Sequence, residues 1–367
     1  MHGNAAERRI DDERPSRTSS VRRALETLAI ALSVTYAGLN LVGFERNFIL
    51  YLANVIAPVL AALLVLTLAA RAALRLVPRA PLKRQRLLTA PEAALLAALL
   101  VPVAQGELRR GGFAAASVAA VEGEFSVLDA NLLGPVNVSQ NLLDEIVRRE
   151  PDIVLLQELN PAVSERLTPL LAARYPCRVL NPQNGTTGMA VYSRFPCEPR
   201  DLGRAYFAAG LPQLVTMTLP SGKKLAVGNV HTNPPHVLPP AQEGQSFLAP
   251  LSETVALREA HTENILAELA SMPADARILG GDFNATVRNR IYGIARNSGM
   301  QDSWSASSRF AGGTWPNASV SLVRWLLRLD FLFCSPELAP LSAENLSTAG
   351  GSDHRGLFVR LGWRRKG

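Results

Sequence analysis

The run Pro151-Asp152-Ile153-Val154-Leu155-Leu156-Gln157-Glu158 decides how this chain folds. Four consecutive apolar residues, bounded by Pro and Asp before and by polar residues after, have the length of a strand buried on both faces. Glu158 stands where that strand ends, a position poorly explained by packing. Its plain structural alternative is an acid ahead of a helix start at Pro161, where the dipole favours negative charge. Upstream, Phe125 to Ala130 reads as a strand. Val138 to Arg149 carries Leu142, Leu143, Ile146 and Val147 at helical spacing and is ended by Pro151. Downstream, Pro161 to Leu171 predicts a helix, and Met189 to Tyr192, Leu214 to Leu219 and Lys224 to Val230 predict strands. Pro220-Ser221-Gly222-Lys223 predicts the hairpin turn between the last two. A long amphipathic helix follows at Leu251 to Leu269, then strands at Arg277 to Leu279, Leu329 to Phe333 and Leu357 to Leu361. Helix-separated and hairpin-connected strands occur together, which predicts two mixed sheets packed on each other with helices outside.

The composition changes along the chain. Up to Ala120 it is dominated by Ala, Leu, Val and Arg; beyond that point it reads as an ordinary globular domain. The formal charge of +7 invites a nucleic-acid reading until its location is considered. Residues 1–120 hold 15 basic against 8 acidic side chains, which is the whole excess, and residues 121–367 hold 23 of each. The basicity belongs to the N-terminal third and says nothing for a nucleic-acid substrate.

That third reads as a membrane anchor. Residues 1–24 are polar and Arg-rich and predict a disordered tail. Residues 25–44 and 48–70 are apolar runs long enough to cross hydrocarbon, and 87–104 is a weaker third run with Glu92 near its start. Arg71, Arg75, Arg79, Lys83, Arg84 and Arg86 lie between the second and third runs, whereas only Glu45-Arg46-Asn47 separates the first two. The positive-inside rule then places the tail and the second loop in the cytoplasm. Three spans put the remainder outside the inner membrane, in the periplasm or extracellular space; two would leave it in the cytoplasm. The expected layout is a tail at 1–24, two to three transmembrane helices within 25–106, a linker at 107–122 and a catalytic domain at 123–367. Cys177 and Cys197 flank neighbouring strand-like segments, so a disulfide and two buried thiols fit equally. Cys334 reads as a small core residue.

Chemistry-bearing residues gather at strand ends. Asp282 and Asn284 follow Ile278-Leu279-Gly280-Gly281, where the glycines permit close backbone approach and alternate residues of an extended chain point the same way. Alone, the pair reads equally as an Asx turn. Asp330 is an acid inside the apolar run Leu329 to Phe333 and needs a buried partner, for which a histidine is a natural choice. His231 ends one strand, and Ser352-Asp353-His354 precedes another. Asn131, beyond the first strand, reads singly as a turn residue, and His236 and His261 have bland readings in a Pro-rich loop and on the long helix. Together the acids and amides supply the oxygen ligands that Mg²⁺ or Mn²⁺ prefers, and the histidines can move protons near neutral pH.

The ordered motifs are Asn131, Pro151 to Glu158, Gly188 to Arg194, Val230-His231-Thr232, Gly281-Asp282-Phe283-Asn284, Asp330 and Ser352-Asp353-His354. They resemble those of the endonuclease/exonuclease/phosphatase superfamily, from about Phe125 to the C-terminus, and the layout is similar to a bacterial membrane-anchored branch of it. The resemblance implies a four-layer α/β/β/α sandwich and a Mg²⁺- or Mn²⁺-dependent phosphoester hydrolase. Glu158 would hold the metal with Asn131 and Asp353 nearby, and Asp282 and Asn284 would orient water and phosphate. Asp330 would pair with His354, and His231 would be the second proton-transfer group. The substrate is left between nucleic acid and a phospholipid headgroup, with the lipid bilayer as the anchor's partner and no protein partner expected. A phosphomonoesterase and a catalytically silent scaffold are the alternatives; competent residues at every motif argue against the scaffold.

Overall fold

The computed structural model describes residues 17–41, 48–76, 88–110, 120–202, 210–234, 248–308, 312–317 and 326–365. His236, the loop at 45–47, the loop at 77–87 and residues 1–16 of the expected tail lie outside the described residues. The chain divides into two compact units, Met1–Val42 with Ala57–Val101, and Gly43–Ile56 with Pro102–Gly367.

The N-terminal helices are α1 (Arg17–Leu41), α2 (Phe48–Leu76) and α3 (Ala90–Arg110). The first starts at Arg17, so residues 17–24, expected as tail, are helical. Two stretches, Arg23–Leu41 and Ile49–Ala73, are long and apolar enough to cross a membrane. The apolar part of α3, Ala90–Gly106, spans 17 residues, or about 25 Å at 1.5 Å per residue, against roughly 30 Å of hydrocarbon. Its start is fixed by a reciprocal cap. The Thr89 N–H donates to Glu92 Oε2 at 3.0 Å, and the Glu92 N–H reaches Thr89 Oγ1 at 3.5 Å. Glu92 also pairs with Arg71 of α2 at 2.6 Å. The helices meet through Tyr36, Ala57, Ala61, Leu96 and Leu99, while Leu28, Leu32, Leu60, Leu63 and Leu66 point outward. Polar side chains turn back on their own helix, as when Ser33 Oγ donates to the Ala29 carbonyl at 2.8 Å and Asn40 Nδ2 to the Tyr36 carbonyl at 2.9 Å. Long apolar helices of this kind are candidate membrane spans by length and composition. The expected linker at 107–122 is shorter than the sequence indicated, since α3 runs to Arg110 and the first strand opens at Val121.

The larger unit is a four-layer α/β/β/α sandwich. Its elements are β1 (Val121–Asn131), α4 (Gln140–Arg149), β2 (Ile153–Gln157), α5 (Pro161–Ala172), β3 (Cys177–Asn181), β4 (Met189–Ser193) and β5 (Cys197–Arg200). They continue with β6 (Gln213–Thr218), β7 (Lys224–His231), α6 (Leu248–Ser271), β8 (Ala276–Asp282), α7 (Arg290–Asn297), β9 (Gln301–Asp302) and α8 (Ser303–Ser307). The last three are β10 (Asp330–Cys334), β11 (Leu338–Asn345) and β12 (Leu357–Arg364). One sheet runs β11-β12-β1-β2-β4-β3, the other β5-β6-β7-β8-β10-β9. Each contains one parallel pair, β1 with β2 and β7 with β8, and is otherwise antiparallel.

Continuous apolar strands go to the middle of a sheet, because both faces are covered there. All five residues of β2 are buried. Val127, Leu155 and Val191 from one sheet interlock with Val215, Val227, Ile278 and Leu332 from the other. Leu128, Val154 and Tyr192 face Leu143 and Ile146 of α4 and Leu167 of α5. Leu214, Leu279 and Phe331 face Ile265 and Leu269 of α6 and Ile291 of α7. Helix α5 starts where Pro161 follows Asn160, whose Oδ1 accepts the Val163 N–H at 2.8 Å. Cys177 and Cys197 form a disulfide across a Cα separation of 5.6 Å, which joins the edge strand β3 of one sheet to the edge strand β5 of the other.

Candidate active site

In each sheet a helix-connected parallel pair points its strand ends in one direction, and ligand sites form outside the carboxyl ends of such strands. Asn131 ends β1, Glu158 follows β2, His231 ends β7 and Asp282 ends β8. In the register of the second sheet, His231 and Asp330 both lie opposite Asp282. The two packed sheets thus bring to one spot residues spread over more than 220 positions of sequence.

Asp282 Oδ2 is the centre of the cluster. Asn131 Nδ2 donates to it at 3.0 Å and to Glu158 Oε1 at 2.9 Å. The Nε2 atoms of His231 and His354 each lie 3.6 Å from the same oxygen, and His231 Nε2 is 3.7 Å from Glu158 Oε1. Asp282 Oδ1 accepts the Asn284 N–H at 2.8 Å. Asn284 Nδ2 donates to the Thr232 carbonyl at 2.9 Å and approaches Asp282 Oδ2 at 3.3 Å. The turn needs unusual backbone: Asn284 and Glu158 have φ of 46° and 54°. Gly281, at φ 139°, lies so close to β7 that a Cβ there would sit 1.9 Å from the Val230 carbonyl oxygen.

Asp330 Oδ2 lies 2.9 Å from His354 Nδ1. Ser352 ties this pair to the opposite sheet, donating to the Asn131 carbonyl at 2.8 Å and accepting the His354 N–H at 3.1 Å. Seven of the eight residues expected from sequence therefore meet through direct contacts. Asp353 stands to one side: its Oδ2 accepts from Trp315 Nε1 at 3.1 Å, and its Oδ1 is buried without a hydrogen-bond partner. Its charge still helps to hold a proton on His354. The bland reading of His261 agrees with its position on α6.

Burial sets the electrostatics. It pushes Glu158 up to about 7, against the hydrogen bonds from Asn131 and Gly134 that favour the charged form. It raises Asp282 as well and lowers His231. For His354 burial works against charge, but Asp330 and Asp282 outweigh it and the imidazolium is pushed up to about 10. Carboxyls crowded out of water in this way lack positive charge, which a divalent cation supplies. The oxygen-rich donors suit a hard cation, and His231 Nε2 and Asp353 Oδ1 are buried with no hydrogen-bond partner among the described residues. Among the described residues, ligand atoms of Asp282, Asp330 and His354 also lie within 4.8 Å of one another.

Several supporting residues carry no motif. The Gly134 N–H donates to Glu158 Oε2 at 3.0 Å, and the Thr186 carbonyl lies 3.1 Å from His231 Nδ1. Arg258, fully buried on α6, donates to the Phe283 and Asn284 carbonyls at 2.9 and 2.6 Å. Below the site, Gln157 Nε2 bridges the two sheets, donating to Asp129 Oδ1 at 2.8 Å and Asn229 Oδ1 at 2.7 Å. Burial, and after it the charge of Asp330, raises Asp129 well above the usual carboxylate range. An acid inside the apolar strand Leu128-Asp129-Ala130 was a visible signal for this residue; the backbone donors left none.

Comparison with known proteins identifies the family and the fold. Residues 122–354 match the family described as Endonuclease/Exonuclease/phosphatase family. Among solved structures, a family protein from Bacteroides thetaiotaomicron aligns with TM-score 0.51 and 15% identity, covering 66% of this chain and 99% of that one. One from Bacteroides vulgatus aligns with TM-score 0.50 and 15% identity, covering 66% and 100%. One from Beutenbergia cavernae aligns with TM-score 0.49 and 19% identity, covering 66% and 72%. At these identities the likeness concerns the fold. No curated protein matches the chain.

Proposed function

We propose that this chain, which belongs to the endonuclease/exonuclease/phosphatase family, is a membrane-anchored, Mg²⁺- or Mn²⁺-dependent phosphodiester hydrolase. The observation that carries this reading is the convergence of two imidazole Nε2 atoms and two side-chain amides on a single carboxylate oxygen, Asp282 Oδ2. Glu158 and Asn131 would hold the cation, with Asp353 beside them. When bound, the cation polarises a phosphoryl oxygen and offsets its growing charge.

The side chains divide the remaining work. Asp282 and Asn284 orient the attacking water and the phosphate. The His231 Nδ1–H is directed at the Thr186 carbonyl, which leaves Nε2 with its lone pair free to take a proton from that water. His354, with Nδ1 held by Asp330, presents Nε2–H to the leaving oxygen. The water oxygen bonds to phosphorus, the bond to the leaving oxygen breaks, and one proton enters at His231 while another leaves from His354. The strand-end geometry supports these roles, as does the opposite protonation preference of the two histidines.

The anchor would consist of α1, α2 and α3, with the catalytic domain on the outer face of the inner membrane. The Cys177–Cys197 disulfide supports that side, because such bonds persist in oxidising compartments. The expected result is release of 4-nitrophenolate from bis(4-nitrophenyl) phosphate by the full-length protein with Mg²⁺ or Mn²⁺, lost on chelation. Glu158→Ala and His354→Ala should each lower the rate by at least about 10²-fold; undiminished turnover in both would refute the assignment.

A further inference from the structure

We infer that a groove beside the Glu158 end of the site receives the rest of the substrate. Its occupant would be a hydrogen-bond-donating, non-anionic group carried on a single phosphate. This deepens the hydrolase reading and rests on it.

The groove has a volume of about 490 Å³, within the range of small-molecule sites. Both of its walls are continuous with catalytic groups. One wall is the loop of Gly134 and Pro135, whose first residue donates to Glu158 Oε2 at 3.0 Å. The other is the loop of Asn184 and Gly185, and the next residue, Thr186, holds His231 Nδ1. The two loops touch, since a Cβ on Gly134 would lie 1.7 Å from the Gly185 carbonyl oxygen. Asn160 Nδ2 fixes the first loop through the Gly134 and Val136 carbonyls at 2.9 and 3.0 Å. The Gln183 N–H ties the second to the Leu159 carbonyl at 3.0 Å. A group bonded to a phosphate at Glu158 and His231 therefore has a built wall on each side.

Charge decides what fits. Among the described residues that line the groove, Glu165 alone is charged, and it is accompanied by the exposed amides of Asn137 and Asn184. Arg166 is turned away, donating to the Val138 carbonyl and Gln140 Oε1 at 2.9 Å each. The start of α5 offers little to an anion, because Pro161 has no N–H and the Val163 N–H is taken by Asn160. A second phosphate would face the Glu165 carboxylate with no cation among the described lining residues to meet it. Hydroxyl or ammonium groups find acceptors at Glu165, Asn137 and Asn184. The groove thus favours a polyol or ammonium headgroup over a polynucleotide or a polyphosphorylated ring.

The test compares kcat/KM of the full-length protein with Mn²⁺ on four chromogenic esters. Bis(4-nitrophenyl) phosphate puts a ring without hydrogen-bond donors in the groove and serves as the reference. The 4-nitrophenyl phosphodiesters of glycerol and of ethanolamine supply hydroxyl and ammonium donors, and that of glycerol 3-phosphate adds an anion. At least one donor ester should exceed the anionic ester by about tenfold or more, and the favoured arm identifies the source of the donors. Glu165→Lys should reduce that ratio at least about tenfold. Glu337→Lys, in the exposed turn between β10 and β11, controls for surface charge and should change nothing. A wild-type ratio near one, or a ratio unmoved by Glu165→Lys, overturns the groove assignment while the hydrolase reading stands. Inertness toward all four esters overturns both.

Discussion

Asp330 does two things for His354: it fixes which ring nitrogen faces Asp282, and it supplies a negative charge behind the ring. Asp330→Asn keeps an oxygen acceptor for Nδ1 but removes the charge. The expected outcome is a fall in kcat of about 10²- to 10⁴-fold, measured by steady-state kinetics, with the thermal midpoint not lowered. A variant of near wild-type kcat would remove His354 from the proposed proton path. The residues of this candidate site were legible because each breaks a local rule: an acid, amide or histidine stands inside an apolar strand or just beside its end. Gly134, Thr186 and Arg258 break none. Two act through backbone atoms, and the third looks like any basic residue on an amphipathic helix, so only the folded chain shows what they hold.

At the scale of elements, the sheets were legible from alternating and continuous apolar runs, and the principal strand and helix cores fall within a few residues of expectation. What was not legible was reach. Strand β1 begins at Val121, ahead of its apolar stretch, because Val121 to Asp129 pairs along β12. The edge strands β3 and β5 are short and half exposed, with little apolar pattern to mark them. The disulfide that joins them closes a sequence separation of 20, for which chain-entropy reasoning gives about 3 kcal/mol. Cys177→Ser should lower unfolding free energy by about that amount in urea titration, with kcat unchanged at temperatures where the variant is folded.

A second element-level device is the buried pair Arg328–Asp302 at 2.5 Å, with Tyr292 also donating to Asp302 at 2.9 Å. Burial alone would raise Asp302, but Arg328 outweighs it and the carboxyl is held below its ordinary range. Its contribution to stability is therefore complete above the unfolded value near pH 4 and is lost as pH falls through the lower folded value. Arg328→Met, which leaves the carboxylate buried without its cation, should cost about 3–5 kcal/mol at pH 7. In urea titrations the gap to the wild type should narrow below about pH 4; a gap independent of pH would assign the loss to packing.

For the whole molecule, composition located the charge in the N-terminal third and away from the candidate site, which kept an overall +7 from being read as nucleic-acid binding. The compartment depends on α3, whose 17-residue apolar stretch is short for a bilayer. A reporter active only outside the cytoplasm, fused after Gly367, should give signal, and one active only inside should not. The reverse pattern would show that α3 does not cross.

The pairing of β1 with β12 places Val121 opposite Arg364. The first and last strands of the catalytic domain are thus lateral neighbours, and His354 arrives only just ahead of the final strand. During synthesis the sheet stays open beside β1, without one of the cluster's two histidines, until β12 has emerged. Until then the two imidazoles cannot face Asp282 together, so the cluster is assembled by one of the last pairings this sheet makes.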